Sequence, residues 1–72
     1  MITTQVGLKE RIAQALLDDP RTRDSAIEVI DDRGVVTLGG NVASEEARQA
    51  AEMLVRQQPG VISVINTLRI RS

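Results

Sequence analysis

Aromatic residues, cysteine and histidine are all absent from this chain. Without aromatic faces it has no platform on which bases or sugars could stack and no aromatic anchor for a membrane interface, which disfavours single-stranded nucleic acid as a ligand. Without cysteine it can form neither a disulfide nor a thiolate metal site. Hydroxyls remain as nucleophiles, but none has an evident base beside it. We therefore expect that the protein is not an enzyme.

An excess of one charge is lacking as well. Nine basic residues stand against ten acidic ones, the net charge is −1, and the two signs are interleaved along the chain. Such a pattern shows no basic stripe of the kind that follows a phosphate backbone, so we expect no nucleic-acid partner. Residues 1–6 lack the basic and apolar regions of a secretory leader. The chain as written is expected in the cytoplasm, or in the periplasm or envelope if it is a piece of a longer protein.

Metal and cofactor motifs are missing too. Adjacent carboxylates occur, but a calcium site needs several oxygen ligands spread over a loop, and no such spacing is present. The run Gly39-Gly40-Asn41 fits neither of the glycine-rich patterns that hold nucleotide phosphates. We expect no metal site and no cofactor.

Apolar residues make up 42% of the 72 residues, which is enough for one small core built from aliphatic side chains. Helical spacing predicts a first helix from Thr4 to Leu17, with Thr3 or Thr4 as its cap, Gly7 inside its first turns and Asp18-Asp19-Pro20 as its end. Its core stripe is Leu8, Ile12, Ala15 and Leu16.

Two strands and a hairpin turn follow. The predicted strands are Ala26 to Ile30 and Val35 to Val42, and Asp31-Asp32-Arg33-Gly34 supplies the turn residues between them. Ile27 and Val29 on the first strand share one face, as do Val36, Leu38, Gly40 and Val42 on the second. The two strands should pair antiparallel.

A second helix and a last strand complete the pattern. Ser44 is placed as the helix cap, and the apolar stripe of the helix is Ala47, Ala50, Ala51, Leu54 and Val55. Its solvated side is expected to carry ion pairs among Arg48, Glu52 and Arg56. After Pro59-Gly60, the strand Val61 to Ile70 places Ile62, Val64, Leu68 and Ile70 on one face.

The element order predicts an α+β fold, αββαβ, in which two helices pack on one face of a three-stranded mixed sheet and residues 1–72 form a single domain. The handedness of a strand, helix and strand unit favours the last strand beside the second and parallel to it. A position beside the first strand, fully antiparallel, stays open.

Two surfaces are candidates for binding. The uncovered sheet face should show Ile30, Val35, Thr37, Ile65, Thr67 and Arg69, which suits a docking surface or a weak homodimer, although scattered apolar residues on a sheet are also ordinary. The first helix has a second edge, opposite its core stripe, that could touch lipid: Val6, Lys9, Ala13, Leu17 and Arg21. Frayed ends or packing against the termini would also explain that edge.

Three glycines, Gly34, Gly40 and Gly60, are expected to be structural. Gly40 lies on the core-facing side of its strand, where a glycine usually marks a bulge or a close approach, here by a helix backbone. The alternative is that the amides of Gly39 and Gly40 contact a ligand.

The chain resembles the BON domain family. The similarity rests on Leu16-Leu17-Asp18-Asp19-Pro20, on Gly34-Val35-Val36-Thr37-Leu38-x-Gly40-x-Val42 and on Gly60-Val61-x-x-Val64-x-Asn66-x-Leu68-x-Ile70. It departs from the usual pattern at Gly39, where Ser or Thr is commoner, and in having one copy.

The resemblance implies a binding module of the bacterial envelope, attached to phospholipid surfaces or envelope proteins and linked to osmotic stress or membrane integrity. Two alternatives remain: an oligomerisation domain of a cytoplasmic protein, and a potassium-sensing module, since a branch of the family is associated with that ion.

Overall fold

The computed structural model describes residues 7–71. The elements follow the predicted order, with the last strand in two parts: α1 (Leu8–Asp18), β1 (Ala26–Asp32), β2 (Val35–Val42), α2 (Glu45–Arg56), β3 (Ser63–Asn66) and β4 (Arg69–Ile70). β2 is the central strand, with β1 antiparallel on one side and β3 and β4 parallel on the other. The predicted α+β class, and the parallel position of the last strand beside the second, are confirmed.

Helix α1 begins later than its apolar pattern indicates. Its first residue is Leu8, and Gly7 is the N-cap, with an extended backbone (φ −68°, ψ 166°) and no side-chain capping bond. The prediction that Gly7 lies within the helix is therefore wrong, because a glycine takes the extended cap conformation easily and enters a helix at an entropic cost. Thr3 and Thr4 lie outside the described residues. The end of the helix, with Asp19 at the C-cap, is as predicted.

The hairpin between β1 and β2 closes with a two-residue turn, Arg33-Gly34. Both residues have positive φ, 55° and 92°, as in the turn type whose twist matches that of paired strands. The Asp31 carboxylate accepts a hydrogen bond from the Gly34 N–H at 3.1 Å. Strand β1 is consequently two residues longer than predicted, because Asp31 and Asp32 still pair with β2.

The third position in the sheet, beside β2, is filled by two short strands in line, β3 and β4, which together are called the third lane. This lane is interrupted. β3 and β4 pair with β2 at the same offset, but Thr67 and Leu68 between them belong to neither strand. Here the Asn66 side-chain oxygen accepts a hydrogen bond from the Leu68 N–H at 3.0 Å, which turns the backbone away from a regular ladder. Ile62 precedes β3 and is 78% exposed, so its predicted place on the core face is wrong.

The core lies between the two helices and one face of the sheet, as predicted. Its buried residues come from both helices and from the sheet region: Ile12, Leu16, Val29, Val36, Leu38, Val42, Ala47, Ala51, Val55 and Leu68. Partly buried side chains pack against this core at its margin: Leu8, Ile27, Leu54, Val61 and Val64. The alanines of α2 let this helix approach the sheet closely. Ser44 caps α2 by accepting from the Ala47 N–H at 3.1 Å. The other face of the sheet carries no helix within residues 7–71.

Candidate binding surfaces

The face of the sheet that no helix covers is called the open face, and its predicted members are Ile30, Val35, Thr37, Ile65, Thr67 and Arg69. The strand register aligns Ile30 with Thr37, and Thr37 with Ile65, so the three form one row across the sheet. Ile30 is 54% exposed and Ile65 48% exposed, whereas Val35 and Thr37 are half-buried. Three aliphatic side chains and the Thr37 side chain are thus brought together on a surface that is open to solvent.

Charges flank this apolar row, and the sequence prediction included only one of them. Strand alternation puts Glu28 and Asp32 on the open face of β1, beside Ile30, and both are exposed. Arg69 lies on the open face at the far side, opposite Asn41 of β2. Thr67 is less available than predicted, because its hydroxyl donates to the Leu38 carbonyl at 2.6 Å. The face is therefore acidic along β1 and basic at β4.

The outer edge of α1 comprises Lys9, Ala13 and Leu17, which follow one another at intervals of one helical turn. Lys9 is exposed, and Leu17 is 60% exposed. Ala13 is half-buried, and with Leu17 and Ile27 it lines an apolar groove of about 160 Å³ between the helix and β1. Val6, the first residue of the predicted edge, lies outside the described residues.

Arg21, the other basic residue of the predicted lipid edge, is held by a carboxylate. Its guanidinium donates to both oxygens of Asp19, at 3.1 and 2.9 Å, and its backbone N–H donates to the same group at 2.8 Å. These bonds lower the pKa of Asp19 to about 2 and raise the pKa of Arg21. Because the pair is neutral, Arg21 adds little attraction for an anionic surface.

A cleft of about 310 Å³ between α2 and β3 was not foreseen from the sequence. Asn66 crosses it: its amide nitrogen donates to the Arg48 carbonyl at 3.3 Å and to the Glu52 carboxylate at 3.1 Å. Arg56 donates to the same carboxylate at 3.0 Å. The hydrogen bonds from Asn66 and Arg56 hold the pKa of Glu52 below its usual value.

The predicted solvated side of α2 is thus only partly solvated. The Glu52–Arg56 pair exists, but Glu52 also binds Asn66, and Arg48 lies nearest to Glu45, with 3.7 Å between Nε and the carboxylate. Asn66 and Arg56 both bind Glu52, which joins α2 to the interrupted third lane, whereas the Nε of Arg48 is buried without a hydrogen-bond partner within residues 7–71. We assign the cleft a structural role.

The close approach at Gly40 differs from the expected one. Gly40 has φ +110°, and a Cβ there would collide with the carbonyl oxygen of Ala26 on β1, not with a helix backbone. Gly34 and Gly60, both with positive φ, lie together near the start of α1, where the Gly34 carbonyl accepts from the Ile62 N–H at 2.7 Å. All three glycines therefore have a structural role, because each holds the backbone in a conformation that other residues rarely adopt.

Two further observations bear on the kind of site present. Within residues 7–71 no three acidic side chains come close enough together to hold a metal ion. In the same range, neither helix has the length and apolar character needed to cross a membrane.

The chain thus forms an α+β fold with one uncovered sheet face and an exposed aliphatic edge on one helix. The family model of the BON domain matches residues 4–72. The chain therefore belongs to the BON domain family. Domains of this family are of the binding type and are not known for catalysis, and family membership suggests a membrane- or phospholipid-binding module. No curated protein matches the chain.

Proposed function

We propose that this domain is a non-catalytic module that attaches its host protein to phospholipid membrane surfaces through the outer edge of α1. The observation that carries the proposal is Leu17, an aliphatic side chain that is 60% exposed on a helix whose opposite side is in the core. Exposed leucines are costly to hydrate, and insertion at the boundary between headgroups and acyl chains removes that cost.

Lys9 supplies the complementary charge. It lies two turns before Leu17 on the same edge, about 12 Å along the helix axis. With the helix lying flat on a bilayer, the flexible lysine stem keeps its ammonium at the level of lipid phosphates while Leu17 and Ala13 face the acyl chains. One lysine contributes about 1 kcal/mol of attraction to an anionic surface, so binding will be weak and sensitive to salt.

Family membership supports this proposal, because the BON domain suggests a module that binds membranes or phospholipids. Attachment to the bacterial envelope under osmotic stress, where it would help to preserve membrane integrity, is the physiological role we propose. An envelope protein could serve as an additional anchor. Potassium sensing stays a hypothesis without a residue to carry it.

The test is co-sedimentation with vesicles of phosphatidylcholine alone and of phosphatidylcholine mixed with phosphatidylglycerol, at low and physiological salt. We expect binding to the anionic vesicles only, and weaker binding at higher salt. Leu17→Ser should lower the bound fraction at least threefold. Lys9→Gln should remove most of the dependence on salt.

Met53→Ser is the matched control. Met53 is 43% exposed on α2, so the substitution removes a comparable apolar side chain from the other helix. It should leave vesicle binding unchanged. Absence of binding to any vesicle, or an equal loss in the Leu17 and Met53 variants, would overturn the proposal.

A further inference from the structure

We infer that the open face of the sheet is a homodimer interface. A second copy of the chain packs on it about a two-fold axis that is parallel to β2 and lies midway between the two sheets. The inference concerns a surface separate from the outer edge of α1 and does not rest on the proposed membrane attachment. It follows from the register of the strands and from the placement of charge on the open face.

The central row of the open face is symmetric about β2. Ile30 on β1 and Ile65 on β3 stand on either side of Thr37, to which both are aligned. Rotation by 180° about this axis places β1 of one copy over β3 and β4 of the other. It leaves the position of each residue along the strand direction unchanged. Ile30 of one copy then lies over Ile65 of the other, and Thr37 lies over its own symmetry mate. The row is self-complementary, as a two-fold interface requires.

The charges obey the same symmetry. Glu28 is aligned with Gly39, and Arg69 with Asn41, so the two differ in height by two residues, about 7 Å. The rotation carries the lane of β4 over the lane of β1, which brings Arg69 of one copy within side-chain reach of Glu28 of the other. The contact occurs twice in the dimer.

A different axis is disfavoured by these charges. A two-fold axis across the strands would lay β1 of one copy over β1 of the other and bring Glu28 and Asp32 against the same acidic residues. Like charges placed face to face across an interface are repulsive. The axis along β2 avoids that repulsion and gives nearly parallel strand directions, the usual arrangement of two sheets packed face to face.

Both charged groups are free to make the contact. The ion pairs found within residues 7–71 join Arg21 to Asp19, Arg48 to Glu45 and Arg56 to Glu52, and none involves Glu28 or Arg69. Three strands about 4.8 Å apart and roughly 25 Å long present on the order of 350 Å² per copy. This is about half of what a standard interface buries per partner, so the dimer should be weak and concentration-dependent.

Charge reversal tests the pairing. Sedimentation equilibrium should show a reversible dimer of the unmodified chain, and Glu28→Arg or Arg69→Glu alone should raise its dissociation constant at least about tenfold. The double variant Glu28→Arg/Arg69→Glu restores opposite charges at both contacts and should return the constant to within about threefold of the original. A chain that stays monomeric at millimolar concentration, or a double variant no better than the singles, would overturn the inference.

Position 37 provides a second, geometric test. The chain has no cysteine, so Thr37→Cys introduces a single thiol next to the axis. Because packed sheets are about 10 Å apart, a bismaleimide of that span should link two copies. Gln49→Cys, exposed on α2, is the control and should not be linked. Equal linking at both positions, or open-face variants that alter vesicle binding while dimerisation is unchanged, would contradict a dimer interface.

Discussion

At the scale of single residues, the backbone of Gly40 determines how closely β1 and β2 can pair. Its φ of +110° lies in a region that side-chain-bearing residues avoid, and the Ala26 carbonyl occupies the space where a Cβ would stand. Gly39 is different, because a Cβ there would meet only the Thr67 hydroxyl, at 3.8 Å, an ordinary contact. Two adjacent glycines therefore have unequal structural importance.

Replacement of Gly40 by valine should lower the free energy of unfolding by more than about 2 kcal/mol, because strain and a backbone collision add. Gly39→Ala should change it by less than about 1 kcal/mol. Urea denaturation of both variants provides the measurement. A loss below about 0.5 kcal/mol at Gly40 would show that the strand can rearrange around the new side chain.

At the scale of elements, the segment that joins α1 to β1 is held by a network of local hydrogen bonds. The Asp19 carbonyl accepts from the backbone N–H groups of Thr22 and Arg23 at 3.0 and 2.8 Å. The buried Thr22 hydroxyl donates to the Leu16 carbonyl at the end of the helix. The Asp19 carboxylate binds Arg21 through three donors. This network ends α1 and sets the direction in which the chain enters the sheet.

Because the network includes the Asp19 carboxylate, the stability of the fold should depend on pH. The pKa of Asp19 falls from 3.8 to about 2, because the Arg21 side chain and backbone bind the ionised form. A depressed folded-state pKa stabilises the fold above the ordinary pKa, and the contribution disappears as pH falls from about 4 towards 2. Thermal melts between pH 5 and 2 should therefore show a smaller acid-induced drop in Tm for Asp19→Asn than for the unmodified chain.

Arg21→Gln is the companion variant for this measurement. It removes the guanidinium but keeps the backbone N–H, so it should remove most of the same pH dependence. Parallel pH profiles for Arg21→Gln and the unmodified chain would mean that the ion pair does not couple to folding.

At the scale of the whole molecule, the two helices on one side leave Ile65 and Val64 in opposite environments. Ile65 faces solvent on the open face, whereas Val64 packs against the core. We expect Ile65→Lys to change the free energy of unfolding by less than about 0.5 kcal/mol while it weakens self-association. Val64→Lys should cost more than about 2 kcal/mol, because it would bring an ammonium against an apolar core.

Chemical denaturation and sedimentation velocity on the two variants separate the effects. If Ile65→Lys unfolds the domain, the assignment of faces to β3 is reversed. If it folds normally and associates as before, Ile65 does not contribute to a contact between copies.

Much of this fold followed from local patterns. The stripes of α1 and α2, the alternation of β1 and β2 and the residues of the hairpin turn are properties of neighbouring residues, so periodicity and turn chemistry were sufficient to predict them. The same patterns predicted which side of the sheet is open, because one-residue alternation assigns each strand residue to a face. They also marked Leu17 as a residue outside the core.

Other features depend on contacts between residues far apart in the chain. The interruption of the third lane follows from Asn66, which binds α2 as well as the Leu68 amide, and the constraint at Gly40 comes from Ala26. The row that joins Ile30 to Ile65 exists because the register of two separate strand pairs happens to align both with Thr37. Register is set when helices and sheet pack as a whole, and the sequence by itself determined only the elements and faces from which that packing is built.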